Sequence, residues 1–207
     1  MRRREGLLIL AILGLTAPVL ASGEVLRGDV RPLNQERTGQ SPTGTVTLTR
    51  TDDDVRIELT AQGLSPGMHL AHPHGFAATE PRDARCPTME ADANGDGIID
   101  LIETREASGV TMVPLTDRPV SLEIGAQTYP KANDSGRLEY RQTIRLGQLE
   151  SAMRKKFGTS TALEQRVVYI HGVPESTRLP DSVRSLEGVP AHVTLPIACA
   201  ELQPRGN

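Results

Sequence analysis

The sequence predicts an all-β fold, a sandwich or barrel with long loops. Short runs of alternating apolar and polar residues recur between turn clusters, as half-buried antiparallel strands require. Glycine and proline are frequent, at 19 and 15 of 207 residues, so the chain turns often. Aromatics are scarce, with no Trp, two Phe and three Tyr, which leaves Val, Leu and Ile to build the core. The length suits one domain with an ample core.

Residues 1–21 read as a signal peptide. Arg2, Arg3 and Arg4 form the positive start, residues 7–15 an apolar run too short to span a bilayer, and Val19-Leu20-Ala21 a small-residue cleavage site. The expectation is export to the periplasm or the extracellular space. Cleavage removes three arginines and one glutamate, leaving 20 basic and 25 acidic residues, a net charge of about −5. That balance argues against a nucleic-acid partner, which calls for a basic face. No second apolar stretch is long enough for a membrane span.

The remaining elements follow in order. Residues 22–43 read as an N-terminal strand (24–30) and a polar linker, and residues 44–203 as one β domain. Residues 44–51 alternate, with Val46 and Leu48 on one face; residues 55–59 alternate again, with Val55, Ile57 and Leu59 inward. Asp52, Asp53 and Asp54 make the turn between them. Residues 137–145 form another strand. Leu146, Leu149, Met153 and Phe157 have helical spacing, and Gly158 ends that helix. Residues 172–190 form a long loop, residues 192–202 a last strand, and residues 204–207 a tail.

The chemistry concentrates in Gly67-Met68-His69-Leu70-Ala71-His72-Pro73-His74-Gly75-Phe76, which holds three of the chain's five histidines. In a strand, residues two apart share a face, so His72 and His74 can grip one metal ion. Imidazole suits copper and zinc. His171 ends another strand-like run and is the candidate third ligand. The alternative is a pair of surface or turn histidines. Pro73 has no N–H for a ladder, so it predicts an edge or a bulge here.

A second motif is Asp92-Ala93-Asn94-Gly95-Asp96-Gly97-Ile98-Ile99-Asp100-Leu101-Ile102-Glu103. It matches the calcium loop D-x-[DN]-x-[DN]-G-x5-E at every fixed position. Asp92, Asn94 and Asp96 would give side-chain oxygens, Ile98 its carbonyl, Asp100 a direct or water-bridged contact, and Glu103 two oxygens. An Asp/Gly-rich surface turn is the alternative. Pro87 forbids a long entering helix, and only a short exiting helix over residues 101–107 is expected. The expectation is a lone structural calcium loop, inserted at about 86–109. Cys86 and Cys199 are the two cysteines; in an exported chain they should pair, the alternative being two free thiols.

This ordered set resembles the copper/zinc superoxide dismutase family. The family's copper strand, G-x-H-x-x-H-x-H, is matched by residues 67–74. Its late copper ligand ends a strand similar to Arg166-Val167-Val168-Tyr169-Ile170-His171, and its last strand carries an Ala-Cys like Ala198-Cys199, paired to a cysteine placed like Cys86. The resemblance implies a Greek-key β-barrel. It implies copper on His72, His74 and His171, as a redox centre acting on superoxide, with His69 a structural histidine hydrogen-bonded to backbone. Two departures accompany it. No histidine lies between Phe76 and Ile170, so no zinc is expected, and Pro196 stands where the family has its active-site arginine. His192, by default a packing or surface residue, is the candidate for a fourth ligand or anion contact. A chordin-type CHRD module shares a similar H-x-H-G stretch. The alternative function is therefore a non-catalytic, calcium-stabilised binding module or copper-holding protein with a protein partner.

Overall fold

The computed structural model describes residues 23–78 and 82–205. The signal-peptide reading of residues 1–21 lies outside them. Strands β1 (Glu24–Pro32), β2 (Thr43–Arg50) and β3 (Asp54–Gln62) are followed by β4 (Gly67–Met68) and β5 (Leu70–Gly75). Then come β6 (Val110–Thr111), β7 (Lys131–Ala132), β8 (Leu138–Arg145), β9 (Val167–His171), β10 (Pro196–Glu201) and β11 (Gln203–Pro204). Of the α-helices, α1 (Gln35–Thr38), α2 (Arg105–Ser108) and α4 (Ala191–Thr194) are single turns, and α3 (Leu146–Phe157) is the one long element. Nine strands form one curled antiparallel sheet in the order β6-β5-β9-β10-β1-β2-β3-β8, with β11 beside β1. β4 and β7 form a separate ribbon. The fold is all-β, as the alternation predicts.

The sheet has two halves with different burial. In β1, β2, β3 and β8 burial alternates, every second residue being the less exposed. Leu26, Val46, Leu48, Val55, Ile57, Leu59, Leu138 and Ile144 enter the core, capped by Leu149 and Met153 of α3. Threonines and charged residues face water, with surface ion pairs such as Arg141–Glu58 that add little stability. β5, β9 and β10 are buried on both faces. Ala71, Val168, Ile170, Ala198 and Ala200 join the main core. Val167, Tyr169 and Cys199 lie on the other face, in a second cluster with Phe76 and Ala84. The segment after β5 packs over that face, held by Ala84 N–H to the Gln165 carbonyl and by Ser108 to Tyr169.

Several boundaries differ from the sequence reading. β1 runs to Pro32 and sits between β10 and β2, so the N-terminal strand is an inner member of the nine-stranded sheet. The polar stretch after it contains α1, which Gly39 ends in the left-handed conformation that glycine adopts without penalty. The exiting helix is the turn α2, closed by Gly109. The last strand starts at Pro196, with a register shift between Pro196 and Ala198, and residues 191–194 form α4. Pro73 is in regular register with Val168, and its carbonyl accepts from Met112 N–H. A residue's N and C=O point to the same side of a strand, so the missing N–H of Pro73 faces the loop-covered edge rather than β9.

Candidate metal centre

The sheet register brings the site together. His72 pairs with Tyr169 across β5–β9, and Leu70 pairs with His171. His72, His74, Tyr169 and His171 therefore share one face as direct and diagonal neighbours. Tyr169 pairs in turn with Cys199, so His72, Tyr169 and the disulfide half-cystine stand in one transverse row. One ring nitrogen from each of His72, His74 and His171 lies within 4.8 Å of the others, and this trio is the converging group of potential metal ligands among the described residues. Ring centroids are 4.6 Å apart for His72–His171, 5.0 Å for His72–His74 and 5.8 Å for His74–His171.

Hydrogen bonds select the nitrogens. His171 Nδ1 is 2.7 Å from the Thr194 carbonyl, which can only accept, so Nδ1 carries the proton and Nε2 holds a bare lone pair. That Nε2 is buried and without a partner. His74 Nε2 faces His72 Nδ1 at 3.1 Å and the Thr111 hydroxyl at 3.0 Å, while His74 Nδ1 has no partner. Buried polar groups are ordinarily paired, and these two ring nitrogens are exceptions.

Electrostatics favour the neutral form of all three rings. Burial lowers the His72 pKa well below the ordinary value, helped by His171 and His74. Burial also lowers His74, again helped by His171. His171 falls to about 4 through burial, with the His69 charge adding to the fall and the Thr194 carbonyl opposing it. All three are 1–2% exposed.

The other histidines have separate places. His69 bridges main chain, with Nδ1 3.0 Å from the His171 carbonyl and Nε2 2.8 Å from the Ser65 carbonyl. His192 stands outside the trio on α4, its Nε2 2.7 Å from the Thr177 carbonyl. Two of the three tyrosines pack on the trio: Tyr169 lies 4.5 Å from His74 between ring centroids, and Tyr129 meets His72 edge-on at 6.2 Å. Arg166, also buried, donates to the carbonyls of Phe76, Thr161 and Ser160 and so pins the exit of the histidine strand.

The Asp92–Glu103 loop folds around its own carboxylates. Asp92 accepts from the amides of Gly95, Asp96 and Gly97, Asn94 from Asp96, and Asp96 from Ile98. Glu103 accepts from the amides of Ala93 and Asp100. Asp100 is fully buried. Its Oδ1 accepts from the Ile102 and Glu103 amides, and its Oδ2 accepts from Arg184 N–H and Nε–H, both at 2.9 Å. Those four bonds use its four lone-pair sites, so Asp100 braces the loop here. Arg184 also reaches Glu103 at 3.3 Å, and Ser182 donates to Asp96 at 2.5 Å. Ile98 and Ile99 anchor the loop in the interior, each 1% exposed.

Cys86 and Cys199 form a disulfide across a sequence separation of 113. It ties the segment before the acidic loop to β10, beside the trio. Sequence reasoning missed Thr111, Thr194, Tyr129 and Arg184 as neighbours of these sites. Only Tyr169 had a signal, standing two residues before His171 on a strand. Comparison with models of known protein families and with curated proteins gives no match.

Proposed function

We propose that this chain is an exported metal-binding protein. It would hold one copper ion on His72, His74 and His171 and a structural calcium ion in the Asp92–Glu103 loop. The observation that carries the reading is the orphaned, buried Nε2 of His171 beside two neutral imidazoles. Three nitrogen donors of this kind suit copper or zinc. The resemblance of residues 67–74 and 166–171 to the superoxide dismutase pattern favours copper. Bound copper would supply one-electron chemistry toward superoxide. The protein's own part is to orient the His171 ring through the Thr194 carbonyl, to hold the His171 main chain through His69, and to keep the rings neutral by burial. The calcium reading rests on the complete motif and on amides that converge on Asp92, Asp96 and Glu103. The disulfide fits an oxidising compartment.

A second reading is a copper-holding protein without turnover. The near-complete burial of all three histidines favours it, since a substrate needs access. Metal analysis with a superoxide assay separates the two. One copper per chain, lost together with activity in His72→Ala, supports the enzyme; copper without activity supports the holder. No copper uptake would contradict both.

A further inference from the structure

Asn34 stands where a helix cap is expected, directly before α1, yet its side chain makes no capping bond. It is buried, and its main chain is left-handed, at φ 56°. The amide is engaged elsewhere. Oδ1 accepts from the Ile99 N–H at 2.8 Å, and Nδ2 donates to the carbonyls of Ile99 and Pro196 at 2.9 Å each. Ile99 lies in the acidic loop, and Pro196 is the ladder partner of His171. Asn34 therefore pins the loop to the residue opposite a histidine of the trio, and it belongs to neither set of candidate ligands. A second bridge runs in parallel. Asp100 holds Arg184, Ser185 meets the Thr194 hydroxyl, and the Thr194 carbonyl meets His171 Nδ1. The two bridges start on consecutive loop residues, Ile99 and Asp100, and both end at His171. Asp92, Asp96, Asp100 and Glu103 bring four carboxylates into this one loop. Like charges so close repel, and a divalent ion among them removes the repulsion and stiffens the loop.

We infer that the acidic loop and the histidine trio bind their ions cooperatively, with Asn34 as the positioning residue between them: calcium in the loop raises the affinity of the trio for copper, and copper raises the affinity of the loop for calcium by the same factor. This rests on the copper and calcium sites proposed above. Coupling between two sites typically changes affinity by about 5–150-fold, and about tenfold is expected here. Glycine at position 34 keeps the left-handed main chain without penalty and removes the amide.

The test is a Cu(II) titration of the full chain in competing glycine, read by calorimetry, once in calcium chloride and once in equimolar magnesium chloride. The reciprocal titration adds calcium to copper-free and copper-loaded protein. Both are run on native protein and Asn34→Gly, with circular dichroism melting as the check on folding. The ratio of affinities isolates the coupling, because a merely structural loss shifts copper binding equally in the two salts. The expected result is copper affinity about tenfold higher in calcium for native protein, with the same factor in the reciprocal titration. In Asn34→Gly, which keeps only the Arg184 bridge, each ion still binds alone and the ratio shrinks to about threefold or less. Equal copper affinity in the two salts for native protein, or a ratio undiminished in Asn34→Gly, overturns the inference while leaving both sites standing. Failure of the native protein to bind copper, or to bind calcium, overturns the reading of that site and this inference with it. Should Asn34→Gly not fold, Asn34→Asp, which keeps the Oδ1 acceptor and loses both donors, carries the comparison with the same outcomes.

Discussion

His171 Nδ1 lies 2.7 Å from the main-chain carbonyl of Thr194, and this contact decides which face of the imidazole is free. The carbonyl belongs to α4, and its position is fixed from outside. Ser185 and Thr194 share a hydroxyl–hydroxyl hydrogen bond of 2.7 Å, and the adjacent Arg184 is anchored on the fully buried Asp100. A continuous path of bonds thus joins the acidic loop to His171. Groups that orient a ligand in this way typically change metal affinity by about 10–100-fold when removed.

Ser185→Ala should therefore weaken copper binding by about tenfold, at the low end of that range, with the fold intact. A competition titration against a copper chelator measures it. An unchanged affinity would show that α4 holds its carbonyl without Ser185.

The metal-free protein should lose stability as pH falls from about 6.5 to about 4. His171 titrates near 4 when folded and near 6.5 when unfolded. Between those values the unfolded chain takes up a proton that the folded chain refuses. The contribution is fully present above the unfolded value and lost below the folded one. His171 alone accounts for on the order of 3 kcal/mol of that loss. His72 and His74 are displaced in the same direction and add to it. Urea titrations across this range, compared with His171→Gln, check it; equal slopes in the two proteins would refute it.

Reducing the disulfide, or replacing Cys86 and Cys199 by serine, should cost about 4–5 kcal/mol in the chain-entropy model, because the closed loop spans 113 residues. Copper retention should fall as well, since Cys199 shares a row with Tyr169 and His72. Thermal melting with and without reductant measures the first effect. Metal content after gel filtration measures the second.

Calcium at a hundredfold excess over its Kd should stabilise the native chain by about 2.7 kcal/mol. Asp96→Ala should abolish that gain, because it removes a carboxylate at the centre of the loop. The readout is the calcium-induced rise in Tm. A rise that persists in Asp96→Ala would remove calcium from this loop.

Much of the fold was legible because alternation reports burial directly. Val46 and Leu48 face Ile57 and Leu59 in the register their spacing implies. The trio was legible for a related reason: His72 and His74 keep the two-residue period, and His171 ends a strand. What brings the strands side by side is the order β5-β9-β10, which local pattern does not encode. The hidden parts depend on main-chain groups or on distant segments. The carbonyl of Thr194 has no side-chain signature. Arg184 sits 84 residues from Asp100 in a loop rich in charge. Residues 192–202 read as one apolar run, which puts His192 on a strand, whereas Pro196 starts the strand and leaves a helical turn before it.

X-ray absorption on the copper-loaded protein tests the central claim most directly. Three imidazole nitrogens at about 2.0–2.1 Å from one copper per chain, falling to two or to metal loss in His171→Ala, is the expected result. A nitrogen shell unchanged in His171→Ala would place any copper elsewhere and contradict the account.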